Sequence, residues 1–519
     1  MVTRILALIR KYKGFQFIVF ALAEFTLYHI LHGTPPFIPL LIIVWVALFL
    51  YNILNTYYRE KCHRNSLLFD VWKYNESPFI LFQEFANADE HELDVSEFPV
   101  RDWKNTQGLI FGYSRQGNLV YLRSNAEANI AVFGAPGSSK TVSFVKPNAR
   151  NFGGSVLAVD IKGDIYEYNK YYRNIIRFAP DIPDAVSNSA HYNPFAGFKE
   201  LARSELKLKV SNMAEVLIPN YNERDGYFSI TARKLFTGIL LFLLEECPDL
   251  TFPEFLHAVL QYQRPRGWRL EQFPSNVFQW IECVAYSPYP DAVEQVSAML
   301  GNNERNIAGV ADRLNTALVP FSNEILDALL TDNGSCICAQ SLETGHDVYL
   351  QIGQDNLRTY APLITLIMNS FMSVFTRRGD SAYATAKNRP ILMILDEFPT
   401  LTFSYDSINE FLSTLRSKSI TIMMICQSVS QIAYKYGDAG YHALMGNCIY
   451  QVCCKSNDPI TVNHFMEIIG NKRTLKRGSS AIEDEEPVYH SADYGALSDT
   501  AIVYFNGKHA ELKKIRSYE

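Results

Sequence analysis

Two long apolar stretches open the chain, and after them short aliphatic runs alternate with amphipathic segments. Phe15 to Leu31 is a mostly apolar run of 17 residues and Phe37 to Leu54 another of 18, with the turn sequence His32-Gly-Thr-Pro-Pro36 between them. Each is close to the shortest length that crosses a bilayer as a helix. Arg4, Arg10, Lys11 and Lys13 precede the pair, and Arg59, Lys61 and Arg64 follow it. Cationic flanks at both outer ends predict an N-in, C-in transmembrane hairpin with spans at 15–32 and 37–54. A cleaved signal peptide fits less well, because it needs a short apolar region and a small-residue cleavage site. Glu24 and His29 inside the first span point to hydrogen bonding between helices of an oligomer.

From about residue 65 the pattern becomes that of an α/β protein. Ile130–Phe133 and Ser155–Val159 are aliphatic runs too short for helices, and a helical segment joins them. This βαβ unit predicts a parallel sheet with a right-handed crossover. The second run ends in Asp160-Ile-Lys162-Gly163-Asp164, expected to end a strand beside the first. There Lys162 and Asp164 either face a ligand or cap the helix that begins near Ile165. Helical periodicity over Glu200–Ile218, Gly226–Cys247 and Glu294–Leu330 predicts an all-α insertion. Strands resume at Asp347–Ile352, Ile391–Leu395, Ile420–Cys426 and, as the last, Thr500–Phe505, with a helix over Pro362–Phe375. Asn471–Ser491 is charged, with an acidic run from Glu483 to Glu486, and reads as a mobile surface loop. The expected organisation is a membrane anchor over 1–64, an α/β domain split between 65–199 and 331–519, and a helical domain over 200–330.

Net charge of −6 excludes a globally basic nucleic-acid binder but leaves room for a local basic lining. The nine cysteines contain no CxxC pair, and Cys336-Ile-Cys338 has no second half to complete a zinc site. Cys426, Cys448, Cys453 and Cys454 lie in apolar surroundings, as free thiols of a reducing compartment do.

Chemistry enters with Gly134-Ala135-Pro136-Gly137-Ser138-Ser139-Lys140-Thr141, set between the Ile130–Phe133 strand and a helix that offers Val142, Phe144 and Val145 to the core. Small residues let backbone N–H groups turn inward on a polyphosphate at the positive end of the helix. Lys140 is placed to reach the β- and γ-phosphates of ATP, and the Thr141 hydroxyl to ligate Mg²⁺. Ser139 departs from the usual glycine before the lysine. The competing reading is a glycine turn that holds nothing. Asp396-Glu397, closing the aliphatic run Ile391–Leu395, weighs against it. There the aspartate would join the Mg²⁺ shell and the glutamate would polarise the attacking water. Gln427, at the end of the next strand, stands where a side chain can sense the γ-phosphate.

Together these residues resemble the membrane-anchored coupling ATPases of type IV secretion and conjugation, the TraG/TraD-like family. The resemblance covers nearly the whole chain. It rests on Lys140-Thr-Val-Ser-Phe-Val-Lys-Pro-Asn148, Asp160-Ile-Lys-Gly-Asp164, Tyr192-Asn-Pro194 and Asp396-Glu-Phe-Pro399. Leu415-Arg416, Cys426-Gln427-Ser-Val-Ser-Gln431-Ile432 and the ending Lys513-Lys-Ile-Arg516-Ser-Tyr518 add to it. Ser139 and Ile161, the latter where proline is common, are departures. The resemblance implies a RecA-like P-loop NTPase of the bacterial inner membrane, its ATPase domain in the cytoplasm, assembled as a homo-hexamer. It implies relaxase-bound single-stranded DNA or protein as cargo for a type IV secretion channel. It also implies that Arg416 reaches the neighbouring subunit's γ-phosphate. Two alternatives stay open: a receptor for protein effectors that uses ATP mainly for assembly, and a DNA translocase of the FtsK/HerA type. The latter pumps usually carry more membrane segments or a distinct DNA-reading tail.

Overall fold

Aliphatic runs bounded by turn residues build one large sheet in the computed structural model, which describes residues 91–519 except 183–185, 220–225, 381–387, 477–481 and 519. The predicted transmembrane hairpin at 15–54 lies outside the described residues. In chain order the strands are β1 (Gly108–Tyr113), β2 (Leu119–Arg123), β3 (Ile130–Phe133), β4 (Ser155–Ile161), β5 (Ile175–Phe178) and β6 (Asp347–Ile352). There follow β7 (Ile391–Leu395), β8 (Ile420–Cys426), β9 (Tyr450–Cys453), β10 (Asn471–Lys476), β11 (Ile482–Pro487), β12 (Thr500–Phe505) and β13 (Lys508–Lys513). Eleven of them form a sheet in the order β2-β1-β13-β12-β9-β3-β8-β7-β4-β6-β5. From β9 to β5 every neighbouring pair is parallel. The other four strands continue the sheet antiparallel. Strands β3, β4, β6, β7, β8 and β9 are buried along their whole length. Burial on both faces explains why β3, β7 and β8 read as nearly continuous apolar runs rather than alternating ones.

A π-helical turn (Thr141–Val145) and helix α1 (Lys146–Asn151) follow β3. Phe144 and Val145 are buried as expected, while Val142 is only half-buried. Asn148 ties this helix to the sheet: its Oδ1 accepts from Ile110 N at 2.6 Å, and its Nδ2 donates to Ile110 O at 3.0 Å. Strand β4 is not beside β3, because β8 and β7 lie between them. The crossover passes over two strand positions, a choice that local pattern cannot reveal. Helix α2 (Asp164–Asn169) follows β4.

Between β5 and β6 the described chain is helical. It runs through α3 (Arg203–Leu217), α4 (Gly226–Glu246), α5 (Phe252–Leu260), α6 (Val277–Ala285), α7 (Pro290–Val296), α8 (Glu304–Leu318), α9 (Glu324–Leu329) and α10 (Ala339–Glu343). The single periodic stretch expected over Glu294–Leu330 is broken into pieces. Gly301, with φ of +74°, separates α7 from α8, and Asn323 caps α9 by accepting from Leu326 N. Trp268, Phe273 and Trp280 meet edge to face at 4.9 to 6.2 Å and help fill this core. Among the described residues α4 is long and apolar enough to cross a membrane, and most of it is buried in the protein core.

After β6, α11 (Leu357–Phe375) starts five residues before the predicted Pro362 and carries that proline inside it. Burial of Leu357 and Ala361 outweighs the lost N–H. Helix α12 (Tyr405–Thr414) precedes β8; α13 (Val429–Asn447), interrupted at Gly437, and α14 (Pro459–Ile469) follow it. Asn471–Ser491 is not a loop throughout: β10 and β11 pair as a two-stranded ribbon, and α15 (Ser491–Ala496) begins at its end. Backbone pairing forms that ribbon, which a charged composition does not announce. The ribbon residues Lys472–Glu486 do not belong to the compact unit formed by His91–Asn471 and Pro487–Glu519. Nor is β12 the last strand. Asn506-Gly507, at φ of +48° and +86°, turns the chain into β13. That dipeptide is a strong hairpin signal.

Candidate active site

Parallel strands bring their carboxyl ends to one edge of the sheet, and most of the predicted site residues collect there. The loop Gly134–Thr141 leaves the end of β3; Asp396 and Glu397 follow β7, and Gln427 follows β8. β8 lies between β3 and β7, so the glutamine stands between the loop and the acidic pair.

The loop's shape follows from its residues. A Cβ on Gly134 would come within 2.5 Å of Ser138 Oγ and 2.9 Å of Cys454 Cβ, so only glycine fits. Gly137 and Ser139 both take left-handed backbone, at φ of +76° and +69°. Glycine does so freely and serine at a cost. Ser138 N donates to Ala135 O at 3.1 Å, and Ala135 N to Lys455 O at 2.8 Å. Lys140 Nζ folds back on the carbonyls of Gly134 and Ala135. Ser138 Oγ is buried and has no hydrogen-bond partner among the described residues.

Across the edge, Glu397 sits in left-handed backbone at φ of +46°, and its N–H donates to Asp396 Oδ1 at 3.1 Å. Gln427 Nε2 donates to both Glu397 carboxylate oxygens, at 3.0 and 3.2 Å. Gln431 Oε1 in turn accepts from Gln427 N at 3.1 Å. Burial, and then the neighbouring Glu397 carboxylate, push the Asp396 carboxyl up to about 7; Lys140 opposes that rise. Asp160 contributes to the rise too, which puts the end of β4 in the same electrostatic neighbourhood.

Asp160, rather than Lys162 or Asp164, caps α2. Its carboxylate accepts from Ile165 N at 3.0 Å and Tyr166 N at 2.8 Å, and Gln351 Nε2 donates to it at 3.1 Å. Burial pushes its carboxyl up to about 6. Lys162 turns at φ of +83°, and Asp164 begins the helix itself.

Arg416 does not join this group within one chain. It lies in a 3₁₀ turn (Leu415–Lys418) before β8, at the opposite end of the strand from Gln427. Seven residues of extended chain separate the two ends by roughly 20 Å. Its charge acts instead on Tyr450, at the start of β9.

Two side chains without an assigned role in the sequence support the acidic pair. Gln431 and Lys435 lie four residues apart on α13, one face of a helix. Lys435 Nζ donates to Pro399 O at 3.1 Å and to Leu401 O, holding the loop that follows Glu397. Burial lowers the Lys435 ammonium to about 8. The spacing Gln427, Gln431, Lys435 was the signal available.

Residues 87–494 match the family described as "Type IV secretory system Conjugative DNA transfer". The conjugal transfer protein TraG of Escherichia coli is 22% identical over 389 residues, spanning 70% of this chain and 58% of TraG. VirD4 of Agrobacterium fabrum is 23% identical over 366 residues, spanning 69% of this chain and 52% of VirD4. The chain thus spans about half the length of the curated relatives it matches. The unbound conjugative coupling protein TrwBdeltaN70 superposes with a TM-score of 0.60 at 16% identity, over 80% of this chain and 90% of that one. TrwB in complex with ADP and Mg²⁺ gives 0.59 at 17% identity over the same shares. At such identity the likeness to TrwB is one of fold.

Proposed function

The chain belongs to the type IV secretory conjugative DNA-transfer family, and on that premise we propose that it is a coupling ATPase. It binds and hydrolyses ATP at the Gly134–Thr141 loop and couples turnover to the delivery of relaxase-bound DNA to a secretion channel. The observation that carries the reading is the meeting of the loop, Asp396-Glu397 and Gln427 at one sheet edge, with Glu397 held by Gln427. TrwB, which shares the fold, is described in complex with ADP and Mg²⁺.

The residues suit the ligands. Buried Ser138 Oγ and backbone N–H groups of the loop offer donors to phosphate oxygens. Lys140, now on loop carbonyls, exchanges them for the β- and γ-phosphates. Adjacent carboxyls at Asp396 and Glu397, one raised to about 7, suit a divalent cation, whose charge favours the ionised form. Thr141 and Asp396 would hold Mg²⁺, which supplies charge neutralisation on the phosphates. Glu397, oriented by Gln427, accepts a proton from the attacking water. Arg416, far from its own nucleotide, acts on the site of the next subunit of a homo-hexamer. Residues 15–54 anchor the ring in the inner membrane with the ATPase domain in the cytoplasm.

Steady-state hydrolysis and nucleotide binding by the purified full chain test the assignment. Lys140→Ala is expected to weaken ATP binding at least tenfold. Glu397→Gln is expected to keep affinity within threefold and lower turnover at least a hundredfold. Wild-type protein that binds no ATP, with or without single-stranded DNA, refutes the reading.

A further inference from the structure

Lys514, just past β13, is buried to 4% exposure, yet among the described residues its ammonium meets only backbone carbonyls at hydrogen-bond distance. Nζ donates to Ser138 O at 3.2 Å, Cys454 O at 3.0 Å and Ser498 O at 2.9 Å. These three acceptors match the three hydrogens of the ammonium. They come from three segments: the phosphate-binding loop, the end of β9 and the approach to β12. Burial lowers the pKa of this lysine, the sign of a charge held in the interior against its solvation. The flanking backbone is fixed as well. Lys514 N donates to Asp499 O at 2.7 Å, and Ser517 N to Val142 O at 3.3 Å. Tyr168 Oη donates to Ser517 O at 2.9 Å, and Ile515 packs in a small cluster with Trp103, Ile110 and Leu119. Residues 514–517 therefore run close beside the loop and the turn that follows it.

A trans peptide points its C=O and N–H in opposite directions. Holding the Ser138 carbonyl on Lys514 therefore turns the Ser139 N–H the other way, away from Lys514. Ser139 is the residue that occupies left-handed backbone where glycine is the usual occupant before the lysine. A serine there needs its peptide held from outside, and Lys514 makes that contact.

We propose that Lys514 is a positioning residue for nucleotide binding: by fixing the Ser138–Ser139 peptide, it lets a loop without the usual glycine present its N–H groups to phosphate. The proposal rests on the reading of Gly134–Thr141 as an ATP site. It separates positioning from the alternative, a staple that merely joins β9, β12 and the loop.

The test uses the full chain, a fluorescent ATP analogue as probe, and steady-state ATP hydrolysis. Lys514→Met is expected to raise the Kd of the analogue and the KM for ATP tenfold or more, with kcat within threefold. Ser139→Gly alone is measured as the reference for the double variant. Added to Lys514→Met, it is expected to recover most of the lost affinity, because glycine adopts the loop conformation without help. Where Lys514→Met does not fold, Lys514→Gln, which keeps N–H donors without the charge, is measured with and without Ser139→Gly. A folded Lys514 variant that binds within twofold of wild type overturns the proposal. A loss that Ser139→Gly does not recover, or unfolding of both Lys514 variants, overturns it in favour of the staple. Wild type that binds no nucleotide fails in a different way, since it removes the ATP-site reading itself.

Discussion

Replacing Asp396 by asparagine should stabilise the nucleotide-free protein at pH 8, although the residue is assigned to the active site. Its carboxyl is raised from 3.8 to about 7, first by burial and then by the Glu397 carboxylate. Between those two values the unfolded chain has lost a proton that the folded chain keeps. Folding stability therefore falls as pH rises through that window, and the full penalty is present above about 7. At about 1.4 kcal/mol per pH unit, the penalty at pH 8 has a ceiling of about 4 kcal/mol. It is a ceiling because the side chain keeps part of its surface open to the cleft. Asparagine removes the ionisation and retains an oxygen for the Glu397 N–H. Urea denaturation of both proteins without Mg²⁺ or nucleotide, at pH 8 and pH 5, measures the difference. The variant is expected to gain a few kcal/mol at pH 8 and to lose more than half of that gain at pH 5. Comparing the two proteins at each pH cancels the titration of all other groups. Equal stabilisation at both values, or destabilisation at pH 8, would refute the argument that a buried, like-charged carboxyl pair carries this cost.

Gln427→Ala removes both hydrogen bonds that orient Glu397. ATP turnover should fall ten- to a hundredfold while nucleotide affinity stays within threefold, as read by steady-state rates beside equilibrium binding. Arg416→Ala should abolish stimulated turnover and spare binding. Mixing it with Lys140→Ala subunits should restore part of the activity, and crosslinked mixed rings without recovery would exclude a role across the subunit boundary. A reporter fused at Gly33 should read periplasmic and one at Glu519 cytoplasmic; the opposite pattern would exclude the N-in, C-in hairpin.

Local chemistry was legible because it is carried by neighbours in the chain. β3, β6, β7, β8 and β12 span the residues that their patterns predict. A strand covered on both faces by packed elements favours a nearly continuous apolar run, and turn residues close it abruptly. Small residues around Gly134 and the acidic pair after β7 were visible for the same reason. The hairpin at Asn506-Gly507 was missed although its signal was present, since left-handed backbone at two successive positions selects that dipeptide.

Strands β1, β2, β5, β9 and β13 and the ribbon β10–β11 went unrecognised: β5 and β9 are completed by partners distant in sequence, whereas β1–β2 and β12–β13 are local hairpins whose turns were passed over. What the sequence determined by itself was most of the buried parallel strands, the small-residue loop after β3, and the acidic pair that closes β7. Tertiary structure alone decided that β8 and β7, not β4, follow the loop strand in the sheet. That order sets Gln427 between the loop and Glu397, raises the pKa of Asp396, and leaves Arg416 at the far end of β8. It also decided that a lysine 374 residues beyond Lys140 holds the loop from behind. Such contacts depend on which strands become neighbours, and strand order is set by the packing of the whole sheet rather than by any segment in it.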